Sequence, residues 1–201
     1  MDPRAVLLVV PCSAAKAPGC GSRVSVTSRG WPEELLASRA ELASAAQVDE
    51  SRLMPAWRRY IGHFYQAAGK AVGDAAHQGH LLILSGGYGL ARATESIGDY
   101  NRSLRLADWP GGLLERLLVE ECQTVGGPAV AFVADTTGYA KLLRGTAWNR
   151  SPNRRALLVT VKGAGGGAMR AVPTRLGHAF GAFWRQRLDQ LPAGIAVEVL
   201  A

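Results

Sequence analysis

The segment from Pro11 to Lys16 carries the first side chains whose types and spacing could do chemistry. It follows an apolar run and brings together a thiol, a hydroxyl and an ammonium group, from Cys12, Ser13 and Lys16. We interpret Lys16 as a contact for a phosphate or a carboxylate. Cys12 fits either a nucleophile whose pKa is lowered by Lys16 or a small residue beside backbone N–H groups that bind an anion. We favour the second role, because no histidine lies close in sequence to serve as a base.

A glycine-rich turn is the second candidate, and it ends a run of four apolar residues. The turn residues are Ser85, Gly86, Gly87, Tyr88 and Gly89. Glycine permits positive φ and close approach of a ligand to the backbone, so the turn fits a binding site and a purely geometric turn equally well. Ser85 does not stand in a GxSxG motif, and we expect its hydroxyl to bond a ligand or to cap the turn. Tyr88 could stack on a base or donate its phenol hydroxyl.

Two carboxylates follow this turn and are the candidates for catalysis. A carboxylate beside a glycosidic bond can act as general acid, as general base or as a stabiliser of an oxocarbenium ion. We expect Glu95 and Asp99 to reach the site, although most surface carboxylates have no such role. His77 and His80 have no evident third ligand, so we expect no metal ion, and no motif indicates a cofactor.

Positive charge is concentrated late in the chain. From Thr136 to Leu188 there is no aspartate or glutamate, and the ten basic residues there are Lys141, Arg144, Arg150, Arg154, Arg155, Lys162, Arg170, Arg175, Arg185 and Arg187. Since the whole chain carries +7 and this segment +10, the rest carries −3. The segment suits DNA, RNA or a phosphate-bearing ligand, with a solvated arginine-rich surface as the alternative. Lys162 and Arg170 flank a glycine loop that fits a phosphate contact and a mobile surface loop equally well.

The elements that must position these residues alternate along the chain. Apolar runs predict strands at 5–10, 81–84, 129–134 and 156–161, with an edge strand at 195–200. Helical spacing predicts helices at 31–47, 53–75, 110–122, 137–143 and 176–191, whereas 91–108 shows no sustained period. This alternation predicts an α/β fold with a mostly parallel sheet and helices on both faces. The ends of parallel strands meet at one edge, so Cys12, Ser85 and Asp135 should cluster there.

The composition limits the class of protein. The 201 residues are 48% hydrophobic and 19% charged, which is typical of a globular protein, and we expect one domain over residues 1–201. No apolar run approaches the roughly 20 residues of a membrane span, and the first residues lack a secretory layout, so we expect a cytoplasmic protein without membrane contact. Three cysteines cannot all pair, which argues against a disulfide framework. The oligomeric state is not predicted.

Three segments together resemble the YaaA-like superfamily, which includes bacterial peroxide-stress proteins. They read VPCSAAK from Val10, ILSGGYGL from Ile83 and YNRSL from Tyr100. Similar PCS and ILS…YGL motifs occur in a domain of archaeosine synthase, which modifies a 7-deazaguanine base in tRNA. The chain departs from the pattern at Gly87 and lacks the usual proline after Leu90. The resemblance implies an α/β fold and a link to nucleic acid or modified nucleobases.

These observations lead to one functional hypothesis and two alternatives. We expect an enzyme that acts on a nucleobase, nucleoside or nucleotide, by cleaving an N-glycosidic bond or transferring a group to a modified base. Its catalytic residues would be Glu95 and Asp99. Its binding residues would be Pro11, Cys12, Ser13, Lys16, Ser85, Gly86, Gly87, Tyr88, Tyr100 and Arg170. The alternatives are a non-catalytic stress protein that binds nucleic acid and a small-molecule binding protein of another role.

Overall fold

One six-stranded sheet organises the chain. The structure, a computed structural model, describes residues 1–19, 30–78, 80–151, 155–163 and 167–201. The strands are β1 (Leu7–Pro11), β2 (Asp49–Pro55), β3 (Leu81–Ser85), β4 (Gly89–Arg92), β5 (Ser96–Asp99), β6 (Ala129–Phe132), β7 (Ala156–Val161) and β8 (Ile195–Leu200). The sheet order is β4-β3-β1-β6-β7-β8, and β2 pairs with β5 in a separate antiparallel ribbon.

The centre of the sheet is parallel and its two edges are antiparallel. β1 pairs in parallel with both β3 and β6, and β6 pairs in parallel with β7. β4 and β8 run antiparallel to their single neighbours. Successive β1 residues pack on opposite faces, Leu8 and Val10 on one and Leu7 and Val9 on the other. Burial on both faces explains the uninterrupted apolar sequence of the central strands.

Helices cover both faces, which confirms the predicted α/β fold class. They are α1 (Glu33–Ala43), α2 (Ala56–Arg59), α3 (His63–Ala68), α4 (Lys70–His77), α5 (Leu113–Val125), α6 (Gly138–Gly145) and α7 (Ala168–Trp184). The helices α3, α4 and α7 pack on one face, and α1, α5 and α6 pack on the other. No helix in the described ranges is both long enough and apolar enough to cross a bilayer.

The single helix predicted over 53–75 is wrong. β2 occupies 49–55, and three short helices follow it. Gly62 and Gly69 precede the second and third of these, and Gly69 has a φ of +56°, which interrupts helical geometry. A Cβ on Gly62 would lie 2.0 Å from the Ser13 hydroxyl oxygen, so a side chain at this position would displace that hydroxyl at the end of β1. The apolar residues that follow a helical spacing in the sequence therefore lie on three short helices, which pack on the same face of the sheet.

The segment 91–108 contains the end of β4 and the whole of β5, where the sequence predicted no strand. β4 follows β3 in a hairpin, and Ser85 pairs with Gly89 across it. The last long helix also begins at Ala168, eight positions before the predicted start, and ends at Trp184. Short edge strands such as β4 lack the long apolar runs by which the central strands are recognised.

Candidate functional site

A cavity of about 490 Å³ lies at the carboxyl ends of β1 and β6. It is lined by Cys12, Ser13, Ala14, Lys16, Asn101, Arg102, Ser103, Arg105 and Tyr139. The chain leaves β1 towards β3 on one side and leaves β6 towards β7 on the other. Such a reversal of strand order opens a crevice, and ligands of open α/β sheets bind there. The position therefore agrees with a ligand site.

The thiol of Cys12 faces Tyr139 across the crevice. The backbone N–H of Cys12 donates to the carbonyl of Leu84 at 2.8 Å, so the sheet itself fixes this residue. Tyr139 lies in the first turn of α6, which Thr137 caps by accepting from the N–H of Ala140. The Cys12 sulfur and the Tyr139 hydroxyl are 3.1 Å apart. One group from each of two strand ends thus meets at the cavity wall.

Lys16 is the half-buried cation of the cavity. Its ammonium nitrogen lies 4.2 Å from the centroid of the Tyr100 ring, which is a cation–π geometry. Burial lowers the pKa of Lys16 most strongly, and the positive charge of Arg59 lowers it further, whereas Cys12 and Asp99 oppose this shift. The ammonium form of Lys16 is therefore less favoured than that of a solvated lysine.

A hydroxyl network supports the cavity from below. The Tyr100 hydroxyl is 2.9 Å from both the Tyr60 hydroxyl and the Ser85 hydroxyl, and the N–H of Tyr88 donates to Ser85. The Tyr65 hydroxyl donates to the carbonyl of Pro11 at 2.8 Å. Burial is the main cause that raises the pKa of each tyrosine in this region. The phenols are therefore neutral near pH 7, so they can each donate a proton in a hydrogen bond.

The opposite wall of the cavity is cationic. Arg102 forms a forked ion pair with Asp108, with N–O distances of 2.7 and 2.6 Å. This hydrogen bonding holds the pKa of Asp108 below its usual value. With Lys16 and Arg105, the described lining contains three cations and no carboxylate. Because Asp108 compensates the charge of Arg102, the excess positive charge comes from Lys16 and Arg105, and it favours an anionic ligand.

Six of the predicted binding residues come together here. Cys12, Ser13 and Lys16 line the cavity. Pro11, Ser85 and Tyr100 lie directly behind them, and Ser85 is fully buried. Of the two roles predicted for the Ser85 hydroxyl, the structure shows the turn cap, because this hydroxyl accepts from the N–H of Tyr88 and is enclosed between tyrosines.

Gly86, Gly87 and Tyr88 do not line the cavity, which counts against their predicted ligand contacts. These residues form the turn of the β3–β4 hairpin, and only Gly89 beside them has positive φ among the glycines of the turn. A Cβ on Gly86 would lie 2.0 Å from the carbonyl oxygen of Arg102, and one on Gly87 would lie 2.7 Å from the Tyr100 ring. The glycines thus admit another part of the chain in place of a ligand. Tyr88 is 5% exposed and bonds the N–H of Gly98, so no base can stack on it.

The structure does not bring Glu95 into the cavity lining, which counts against its predicted catalytic role. Its carboxylate pairs with Arg39 at 2.6 Å and accepts from the indole N–H of Trp31 at 2.7 Å. It also accepts from the backbone N–H of Arg92 at 3.2 Å. Arg39 in turn donates to the carbonyls of Tyr88 and Leu90. Glu95 therefore ties the hairpin to α1.

Asp99 and Arg170 lie outside the cavity lining. Asp99 is exposed at the end of β5 and accepts from the N–H of Tyr100 at 2.8 Å, close enough to Lys16 to act on its charge. Arg170 is exposed in the first turn of α7. The centre of the glycine loop before it, residues 164–166, lies outside the described residues. The proposed roles of these two side chains stay predictions.

Sequence reasoning missed the residues that complete the cavity. Tyr139 and Arg105 were not singled out, nor were the three residues that follow Tyr100, namely Asn101, Arg102 and Ser103. The signal for these three was the YNRSL segment, which was read only as part of a resemblance. Tyr139 could have been found from its place directly after a predicted strand exit.

The basic segment does not form one surface. Lys141 and Arg144 lie on α6, and Arg170 and Arg175 lie on α7, which packs on the opposite face of the sheet. Arg144 is paired with Asp135 and with Glu198. A nucleic-acid interface in this segment stays a prediction.

A larger groove, of about 570 Å³, lies beside α5 and the start of α1. Three of its charged side chains pair with one another, because Arg116 bonds both Glu34 and Glu120. No group of three or more histidine, cysteine, aspartate or glutamate side chains in the described ranges could hold a metal ion. The cavity at β1 and β6 is therefore the stronger candidate for chemistry.

No protein-family model matches the chain, and no curated protein matches it.

Proposed function

We propose that the protein is an enzyme that binds an anionic nucleobase- or nucleotide-type ligand in the cavity between β1 and β6 and transfers a group to it. The observation that carries this proposal is the lining itself, which combines three cations with a thiol and contains no carboxylate among its described residues. A volume of about 490 Å³ falls in the usual range for small-molecule sites.

The lining supports recognition of two chemically different parts of such a ligand. Lys16, Arg102 and Arg105 would attract a phosphate or another anionic group. Asn101 and Ser103 carry an amide and a hydroxyl, which suit the hydrogen-bonding edge of a base. Lys16 would contact the anion and, because its pKa is lowered, would also exchange a proton with it.

The lining favours group transfer over cleavage of a glycosidic bond. Glycosidic cleavage ordinarily uses a pair of carboxylates on either side of the bond. Glu95 is held in an ion pair away from the cavity, and Asp108 is bound to Arg102. Asp99 lies close enough to act on the charge of Lys16 but does not line the cavity. Cys12 and Lys16, by contrast, both face the space that a ligand would occupy.

Thermal-shift screening with nucleobases, nucleosides and nucleotides tests the proposal. A ligand present at 100 times its dissociation constant should add about 2.7 kcal/mol to the free energy of unfolding. Lys16→Met should abolish the shift, whereas Lys70→Met, at an exposed lysine of α4, should leave it unchanged. A panel without any stabilising nucleotide, or an equal shift in Lys16→Met, would contradict the proposal.

A further inference from the structure

We propose that Arg59 is the positioning residue for Lys16: its buried guanidinium fixes the segment that carries Lys16 and places a second positive charge behind the cavity. This inference rests on the proposed function, because it names the residue that positions Lys16, the lysine proposed to contact the ligand.

Arg59 is a buried cation whose charge acts on one exposed carboxylate, that of Asp49 in β2, without forming an ion pair in the described part of the chain. The last residue of α2, it is fully buried. It forms no ion pair among the described residues, and the residues outside the described ranges include no aspartate or glutamate. Its Nε atom has no hydrogen-bond partner in the part of the chain that the structure describes. A charge in this setting is costly to bury, so a packing role alone explains it poorly.

Its guanidinium joins three separate backbone segments. It donates to the carbonyl of Ala17 at 2.6 Å, to that of Ile97 in β5 at 3.2 Å, and to that of Arg52 in β2. The planar fork of arginine can reach several acceptors at once, which the single ammonium group of lysine cannot do in the same geometry. The loop after β1 is therefore attached to the β2–β5 ribbon through this one side chain.

The main chain of Arg59 holds the same loop. The N–H of Ala17 donates to the carbonyl of Arg59 at 2.7 Å, and the N–H of Ile61 donates to the carbonyl of Ala15 at 3.1 Å. Lys16 lies between these two bonds and faces Tyr60 in an isolated antiparallel bridge. Both attachments restrict the backbone on each side of Lys16, which places its ammonium group over the Tyr100 ring.

The charge of Arg59 predicts an effect on Lys16 that hydrogen bonds to the loop alone would not produce. The charged groups that act on Lys16 are Cys12 after β1, Asp99 at the end of β5 and Arg59 on α2. The phenols of Tyr60 and Tyr100 lie against it, and Arg102 and Arg105 line the same cavity. Cys12 and Asp99 favour the ammonium form of Lys16, and Arg59 disfavours it. Because a guanidinium stays charged at every relevant pH, removing it should raise the pKa of Lys16.

The titration of Lys16 tests the inference. The chain has only four lysines, Lys16, Lys70, Lys141 and Lys162, so ¹³C-dimethylated lysine signals can be followed individually by NMR and assigned with Lys16→Arg. In Arg59→Gln, the Lys16 signal should titrate at higher pH, the other three should not move, and nucleotide affinity should fall roughly tenfold. Arg58→Gln is the matched control, since Arg58 is the exposed neighbour that packs on Trp57.

Arg59→Lys keeps the charge and removes the fork. We expect it to leave the pKa of Lys16 near the wild-type value and to weaken nucleotide binding. If Arg59→Gln does not fold, Arg59→Lys still tests the inference. A nucleotide affinity equal to that of the wild type in Arg59→Lys would overturn the positioning role. A folded Arg59→Gln with an unchanged Lys16 titration would overturn the electrostatic role. Absence of nucleotide binding in the wild type would refute the proposed function alone, because the Lys16 titration does not depend on a ligand.

Discussion

The variant Glu95→Gln separates a structural carboxylate from a catalytic one. Glutamine keeps the shape of the side chain but presents an NH₂ group where an oxygen now accepts from Arg39 at 2.6 Å or from Trp31 at 2.7 Å. One charge-assisted hydrogen bond is lost, which is worth about 1.5–3 kcal/mol. The Arg39 guanidinium, with a side chain that is 11% exposed, also loses its ion-pair partner. The free energy of unfolding should therefore fall by roughly 2–4 kcal/mol.

Urea denaturation and calorimetry measure this loss directly. For a protein of about this length, it corresponds to a fall in Tm of roughly 4–16 °C. The affinity for a nucleotide that stabilises the wild type should stay unchanged, because Glu95 does not line the cavity. Glu41→Gln, at an exposed position of the same helix α1 as Arg39, should leave both quantities unchanged. Wild-type stability together with lost activity would refute the structural assignment of Glu95.

Three further predictions follow from the turn, the rim and the cavity. Gly86→Ala should destabilise the fold by about 2 kcal/mol or more, because its Cβ would meet the Arg102 carbonyl, whereas Gly111→Ala, which meets no atom within 4 Å, should be near neutral in urea unfolding. Hydrogen bonding to Arg102 holds the pKa of Asp108 low, so this carboxylate stabilises the wild type above about pH 4. That contribution is lost as the pH falls through the lowered pKa. In Asp108→Asn, the free energy of unfolding should therefore fall less steeply as the pH is lowered. The affinity for an anion, measured by calorimetry, should fall as the pH rises through the pKa of Lys16, which lies below the usual lysine value of about 10.4. Lys16→Met should remove this pH dependence.

The central strands could be predicted because their signal is local. Val9 and Leu82 lie in strands that are buried on both faces, and an uninterrupted apolar run identifies such strands without knowledge of the rest of the fold. The exits of parallel strands then placed Cys12 and Lys16 at the correct edge. The helices at 113–125 and 138–145 were predicted for the same reason, because each covers the sheet with one apolar stripe.

The site predictions that the structure does not support depend on contacts between residues that are distant in sequence. Nothing beside Glu95 in the chain indicates that Trp31 and Arg39, more than 50 positions away, will occupy its oxygens. The glycines of the hairpin turn were read for their freedom at φ, but Gly86 and Gly87 are required by the close approach of residues 100–103. Such requirements arise from packing, and a single sequence does not display them.

The concentration of phenols has an optical consequence. The chain has five tyrosines, Tyr60, Tyr65, Tyr88, Tyr100 and Tyr139, and every one lies in or beside the hydroxyl network behind the cavity. Their raised pKa values keep tyrosinate absorbance out of the alkaline spectrum of the folded state. Tyrosinate absorbance should therefore appear when this region unfolds and its phenols reach solvent. Since all five tyrosines belong to this region, none elsewhere adds to the signal. The protein thus carries a built-in, label-free chromophore that reports on the integrity of its candidate site.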